Sequence, residues 1–173
     1  DKADAAVEDL KDRGVGEKDF VVGICASQRT PYTISALAYA SSLGCRTAFI
    51  ICNEPGDLTI KPDVVIALPV GPEVITGSTR MKSGSAQKMV LNAISTTAMV
   101  LLGKTYGNLM IDLKANSEKL AARSRKILMD LFDISLDESN SLLKAANGSV
   151  KVAIVMRKHR CSREAALDKI AQA

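Results

Sequence analysis

Residues 20–52 read FVVGICASQRTPYTISALAYASSLGCRTAFIIC. Phe20-Val21-Val22-Gly23-Ile24 is a short continuous apolar run, the pattern of a strand covered on both faces. The polar segment Cys25 to Thr30 follows, and Pro31 suits the first turn of a helix that runs to about Leu43, where Gly44 stops it. Thr47 to Cys52 reads as a second buried strand. Working outward, Val64 to Leu68 is a third strand, and Ala3 to Arg13 is a helix closed by Gly14 and Gly16. Strands that alternate with helices predict right-handed βαβ units and a parallel sheet, hence an α/β fold.

Ligands of such sheets bind beyond the carboxyl ends of the strands. Two polar loops fall there. In CASQRTPY (Cys25 to Tyr32), the Ser27 and Thr30 hydroxyls and the free N–H groups of the helix start could hold a phosphate, with Arg29 adding charge-assisted bonds. Ser27 or Thr30 could equally serve only to cap the helix. The loop is neither GxGxxG nor a Walker sequence, so a nucleotide site has little support. The second loop opens the run GPEVITGSTRMKSGSAQKMVLNAISTTAMVLLGKTYGNLMID, residues 71–112. It gathers Glu73, Thr76, Ser78, Thr79, Arg80, Lys82, Ser83, Ser85, Gln87 and Lys88 just before a helix. Small hydroxyls, cations and glycine-spaced backbone at a helix N-terminus make a receptor for a phosphorylated, hydroxyl-rich small molecule. Glu73 is the one carboxylate there. It can act as a general acid or base or bind sugar hydroxyls, or it can partner the helix dipole or Arg80. Arg80 and Lys82 suit an anionic substrate group, or are solvated loop charges.

The following helix is expected from near Ser85 to near Gly103. Lys88, Asn92, Ser95 and Thr96 form a polar line on it that faces water, a ligand cleft or a subunit contact. After Tyr106-Gly107-Asn108, a helix is expected over Ala115 to Leu131. Ser135 or Asp137 can cap a helix ending at Asn147-Gly148, Ser149 opens another to about Lys158, and Ser162 starts a third. These short helices predict a small bundle appended to the α/β domain. The basic patch Arg157-Lys158-His159-Arg160 fits a helix end that complements the dipole.

With 173 residues, 47% hydrophobic and 24% charged, the chain is globular and large enough for one domain plus an appendage. Aromatics make up 3% with no Trp, which argues against a single-stranded nucleic-acid surface, and a net charge of +4 comes without a basic stripe. Cys25, Cys45, Cys52 and Cys161 show no CxxC spacing and read as reduced, buried thiols of a cytosolic protein. One histidine, His159, supports neither a zinc site nor a catalytic triad. No signal peptide is visible, and no apolar run reaches the ~18 residues of a membrane span. Asp1 has no Met before it and a helical pattern is already under way, so a piece of a longer chain is expected.

The runs GPEVITGSTRMKSGSAQKMVLN and LGKTYGNLMIDLKANSEKL closely resemble the N-acetylmuramic acid 6-phosphate etherase family, cytosolic bacterial enzymes built on the sugar isomerase (SIS) domain. VVGICASQRTPY resembles that family's second phosphate loop, usually written ASGRTPY, and AANGSVKVAIVM resembles its C-terminal helical appendage. The resemblance implies a three-layer α/β/α SIS-like parallel sheet over residues 1–132, N-terminally incomplete, and a small helical domain over 133–173. It implies cleavage of the D-lactyl ether of the sugar phosphate to N-acetylglucosamine 6-phosphate and D-lactate, by elimination then hydration, in cell-wall amino-sugar recycling. No cofactor or metal is implied, and the partners are a small-molecule sugar phosphate and a second copy in a homodimer, with no nucleic acid and no membrane. Ser27, Gln28, Arg29 and Thr30 become the second phosphate loop, and Glu73, Ser78, Thr79, Arg80 and Lys82 border the sugar. The family's catalytic glutamates lie upstream of Asp1, which leaves Glu73 as the one catalytic candidate here and a fragment inactive alone. Gln28 stands where the family has Gly, and its side chain could crowd a phosphate. The competing class is a non-catalytic sugar-phosphate-binding regulator related to glucokinase regulatory protein.

Overall fold

A computed structural model describes residues 2–113 and 116–172. Its backbone divides into two compact units, Asp1–Ile94 and Ser95–Ala173. The first holds α1 (Ala3–Asp12), β1 (Phe20–Ile24), α2 (Pro31–Ser42), β2 (Arg46–Ile51), β3 (Val64–Ala67) and the start of α3 (Lys82–Leu101). The three strands form a parallel sheet in the order β1-β2-β3. The α/β alternation legible in residues 20–52 therefore gives the parallel sheet it predicts.

The apolar runs explain the layering, with one difference. Central β2 is buried along nearly its whole length, and Phe49, Ile50 and Ile51 are fully enclosed. β1 is as apolar, but it lies at the sheet edge and is covered on one side only. Val21 and Gly23 face α2, while Phe20 (56% exposed), Val22 and Ile24 alternate on the side that stays exposed. A period of two puts neighbouring side chains on opposite faces, so a run of apolar residues shows that both faces could be covered, not that both are. α2 packs on β1 and β2, and α1 packs on α2. The approach of α2 depends on Gly23, since a Cβ there would lie 2.5 Å from Leu37 Cδ1 and 2.8 Å from Thr33 Cγ2. Cys25, Leu37, Phe49 and Ile51 form the core beneath.

A polar joint sets the register of β3 on β2. Asp63 accepts from the Thr47 N–H at 2.7 Å and from its hydroxyl at 3.1 Å, and pairs with Arg46 at 3.0 Å. The Thr47 N–H bond is the main reason the Asp63 carboxyl lies below its ordinary range.

α3 starts at Lys82, a turn earlier than the expected Ser85. Every residue from Leu91 to Leu102 is exposed, apolar and polar alike, so Asn92, Ser95 and Thr96 form no distinct wet side.

In the second unit, β4 (Thr105–Tyr106) and β5 (Leu109–Met110) pair antiparallel about Gly107-Asn108, with Gly107 at φ 56°. The sequence reading had only a break there. α4 spans Glu118–Phe132, and Ser117 accepts from the Leu120 N–H as its cap. The expected start at Ala115 lies outside the described residues. α5 (Leu136–Ala145) is capped by Ser135 in a reciprocal box with Glu138, which settles the choice between Ser135 and Asp137. Ser149 caps α6 (Val150–His159) and Ser162 caps α7 (Arg163–Ala171), both as the sequence indicates. Arg157, Lys158 and His159 fill the last turn of α6. Leu128, Val150, Ala153, Ile154 and Ala166 form the core of this unit. Among the described residues, no helix is long and apolar enough to cross a membrane.

Candidate functional site

The two polar loops meet at the carboxyl end of β2, and Cys52 joins them. Its N–H donates to the Ala26 carbonyl in the β1–α2 loop at 3.1 Å, while its thiol lies 3.7 Å from the Ser83 carbonyl in the first turn of α3. The Cys25 N–H extends the ladder to the Ile50 carbonyl at 3.0 Å. Parallel strands that stop together thus deliver two helix starts to one edge, where the positive dipole ends attract anions.

In the first loop, Ser27 Oγ accepts from the Arg29 N–H at 3.3 Å. Thr30 occupies the N-cap of α2, but no side chain makes a capping bond there. The simple capping alternative for Ser27 and Thr30 is therefore not what the loop does. Cys25 is buried and its thiol donates to the Ser27 carbonyl. Burial pushes that thiol up, against hydrogen bonding to Thr30, so it is a poor nucleophile at neutral pH.

Gln28 is committed elsewhere. Its amide donates from Nε2 to the Glu54 carbonyl at 2.6 Å and accepts at Oε1 from the Gly56 N–H at 3.2 Å. The side chain thus clasps the β2–β3 loop. Ser27, Gln28 and Arg29 share a cavity of about 660 Å³ with Asn53, Gly56, Asp57 and Thr59. Those last four were missed in the sequence. A signal is present for three of them: NEPGD follows Cys52 just past β2, at the same strand ends as the other two polar loops.

In the second loop, Glu73 accepts from the Lys82 and Ser83 N–H groups, one on each carboxylate oxygen, both at 3.0 Å. This is the helix-terminus partner of the two alternatives, and it explains why α3 begins at Lys82. The Lys82 N–H bond first, then that of Ser83, holds the Glu73 carboxyl below its ordinary 4.5. A lowered folded-state pKa stabilises above the unfolded value and is lost as the pH falls through the folded one. Acidification below about 4.5 is therefore expected to release the first turn of α3, seen as faster amide exchange at Lys82 and Ser83. Glu73→Gln should exchange fast at both amides at neutral pH and lose the acid-dependent step; a step of unchanged size would assign it to another carboxyl. Arg80 Nε–H donates to Ser78 Oγ at 3.2 Å, and Thr79 and Lys82 are exposed beside them. Glu73, Ser78, Thr79, Arg80 and Lys82 are thus gathered at the α3 start, apart from the cavity that Ser27, Gln28 and Arg29 line. Among the described residues, no group of three or more His, Cys, Asp or Glu could hold a metal ion.

No family model matches the chain. Curated relatives do, from end to end. The chain is 46% identical over all 173 of its residues to an N-acetylmuramic acid 6-phosphate etherase of Geobacillus thermodenitrificans, and 45% identical over 98% of its length to one of Clostridium beijerinckii. It is similar to these etherases along its whole length. It spans 59% and 56% of those etherases' lengths, so they contain residues that it does not match. An etherase of Bacillus anthracis, at 44% identity, again covers the whole chain.

Proposed function

We propose that this chain forms the sugar-phosphate-holding portion of a carbon–oxygen lyase that cleaves the D-lactyl ether of N-acetylmuramic acid 6-phosphate. The observation that carries the reading is the convergence of two hydroxyl- and cation-bearing loops on Cys52 at the sheet's carboxyl edge. The similarity of all 173 residues to a named etherase supports N-acetylmuramic acid 6-phosphate as the substrate. In this reading the architecture is an SIS-like sugar-phosphate domain with a helical appendage, working in the cytoplasm.

Ser27, Arg29 and Thr30 hold the phosphate at the α2 start, and Gln28 keeps the cavity wall in place through Glu54 and Gly56. Ser78, Thr79, Arg80 and Lys82 border the sugar. The reaction removes the C2 proton of the ring-opened sugar and protonates the departing ether oxygen, giving D-lactate and a 2,3-unsaturated sugar. Water then adds across that bond to give N-acetylglucosamine 6-phosphate. Glu73, with both oxygens taken by backbone N–H groups, is a positioning residue. Base and acid come from the part of the etherases that this chain does not match. A homodimer is the proposed assembly, supported by the apolar residues that α3 exposes between Leu91 and Leu102.

The test is D-lactate release from N-acetylmuramic acid 6-phosphate by the protein that carries this chain, with binding of the product sugar phosphate measured in parallel. Arg80→Ala is expected to raise KM about three- to tenfold, the cost of one exposed charge-assisted contact. Binding without any D-lactate would replace the lyase by a non-catalytic sensor, and an unchanged KM would remove Arg80 from the site.

A further inference from the structure

A second cavity, of about 630 Å³, lies wholly within the Ser95–Ala173 unit, and nothing in the etherase reading uses it. Its floor is apolar: Ile111 and Ile154 are almost fully buried and Ile170 partly so. Its rim carries Lys151, Lys158 and Lys169, with no acidic residue anywhere in the lining. The ordinary account of such lysines is that they answer helix carboxyl ends, and Lys151 does lie near Gly103 beyond the end of α3. Yet among the described residues neither Lys151 nor Lys169 has an ion-pair partner, and Lys158 donates only to the hydroxyl of Tyr106. Asp112, next to Ile111 in the chain, pairs with Lys104.

A concave apolar floor of this size under a small set of like charges is the usual anatomy of a small-molecule site. Its floor excludes a fully hydrated ion such as free phosphate, and its rim disfavours a cation. We infer that this cavity binds a small amphiphilic anion, an apolar body bearing one carboxylate or phosphate head. The body lies against Ile111, Ile154 and Ile170, and the head meets Lys151 and Lys169. The site shares no lining residue with the sugar-phosphate cavity and does not depend on the lyase reading.

The probe is 2-naphthylacetate, with its primary amide as a neutral control of the same shape. Titration of the protein that carries this chain, followed by amide and methyl NMR shifts, is expected to show saturable binding centred on Ile111, Ile154 and Ile170. The amide should bind about tenfold more weakly. Lys151→Gln with Lys169→Gln should weaken the carboxylate about tenfold and leave the amide unchanged, as expected for two partly exposed charges. Equal affinity of acid and amide would reduce the cavity to apolar adhesion. Shifts centred on residues 2–94, or no saturation, would equally overturn the proposal.

Discussion

Phe49→Ala is expected to cost about 3–5 kcal/mol of folding stability, read from chemical denaturation followed by circular dichroism. Phe49 sits at the middle of the central strand, is 0% exposed, and packs with Cys25, Leu37 and Ile51 under α2. Removing its ring takes away both the transfer energy of the buried carbons and the contacts of everything that surrounds them. The site suffers through geometry: β2 ends at Ile51, and Cys52 just beyond it holds the Ala26 carbonyl and meets Ser83. Loss of sugar-phosphate affinity should therefore accompany the loss of stability, although Phe49 lies in the strand and in neither loop. Phe49→Leu, which refills most of the volume, should recover most of both. A cost under about 1 kcal/mol would mean the sheet is not the scaffold described.

Gly23→Val should cost about 2–3 kcal/mol, near the top of the usual range for overpacking. The reason is distance, since Gly23 has an ordinary strand backbone with no positive φ. An added Cβ would overlap Leu37 and Thr33, and Leu37 is buried at 2% exposure, with little room to turn aside. Leu37→Ala opens that space, so the double variant should lose less than the sum of the two singles. A coupling of about 1 kcal/mol or more in the favourable direction is expected, and strict additivity would show that α2 does not approach β1 as closely as described.

These two residues also show what the sequence could and could not tell. The alternation of apolar runs with Pro31 and Gly44 was enough for the strands and helices of residues 20–52, because each signal is local. Two caps were equally legible, Ser149 and Ser162, while the sequence left Ser135 and Asp137 as alternatives for the third. The start of α3 was not, because its N–H groups are met by Glu73, nine and ten residues earlier in the chain, and no local spacing announces that bond. The partners of Gln28 are hidden for the same reason. From sequence it stands where a glycine is expected and could crowd a phosphate; Glu54 and Gly56, which it bonds, lie more than 25 residues away, and it lines the cavity beside Ser27 and Arg29. The β1 edge was misjudged because hydrophobicity reports what a residue tolerates and says nothing of whether a neighbour arrives. The β4–β5 hairpin is too short for period-two patterning to register.

The long α3 helix has a practical side. Leu91, Ile94, Met99, Val100 and Leu101 are all wet, in the second half of a rod whose 20 residues reach roughly 30 Å, and Leu102 just past its end is wet as well. An apolar rod left without a neighbour is expected to draw copies of the chain together, so light scattering of this chain alone should climb with concentration.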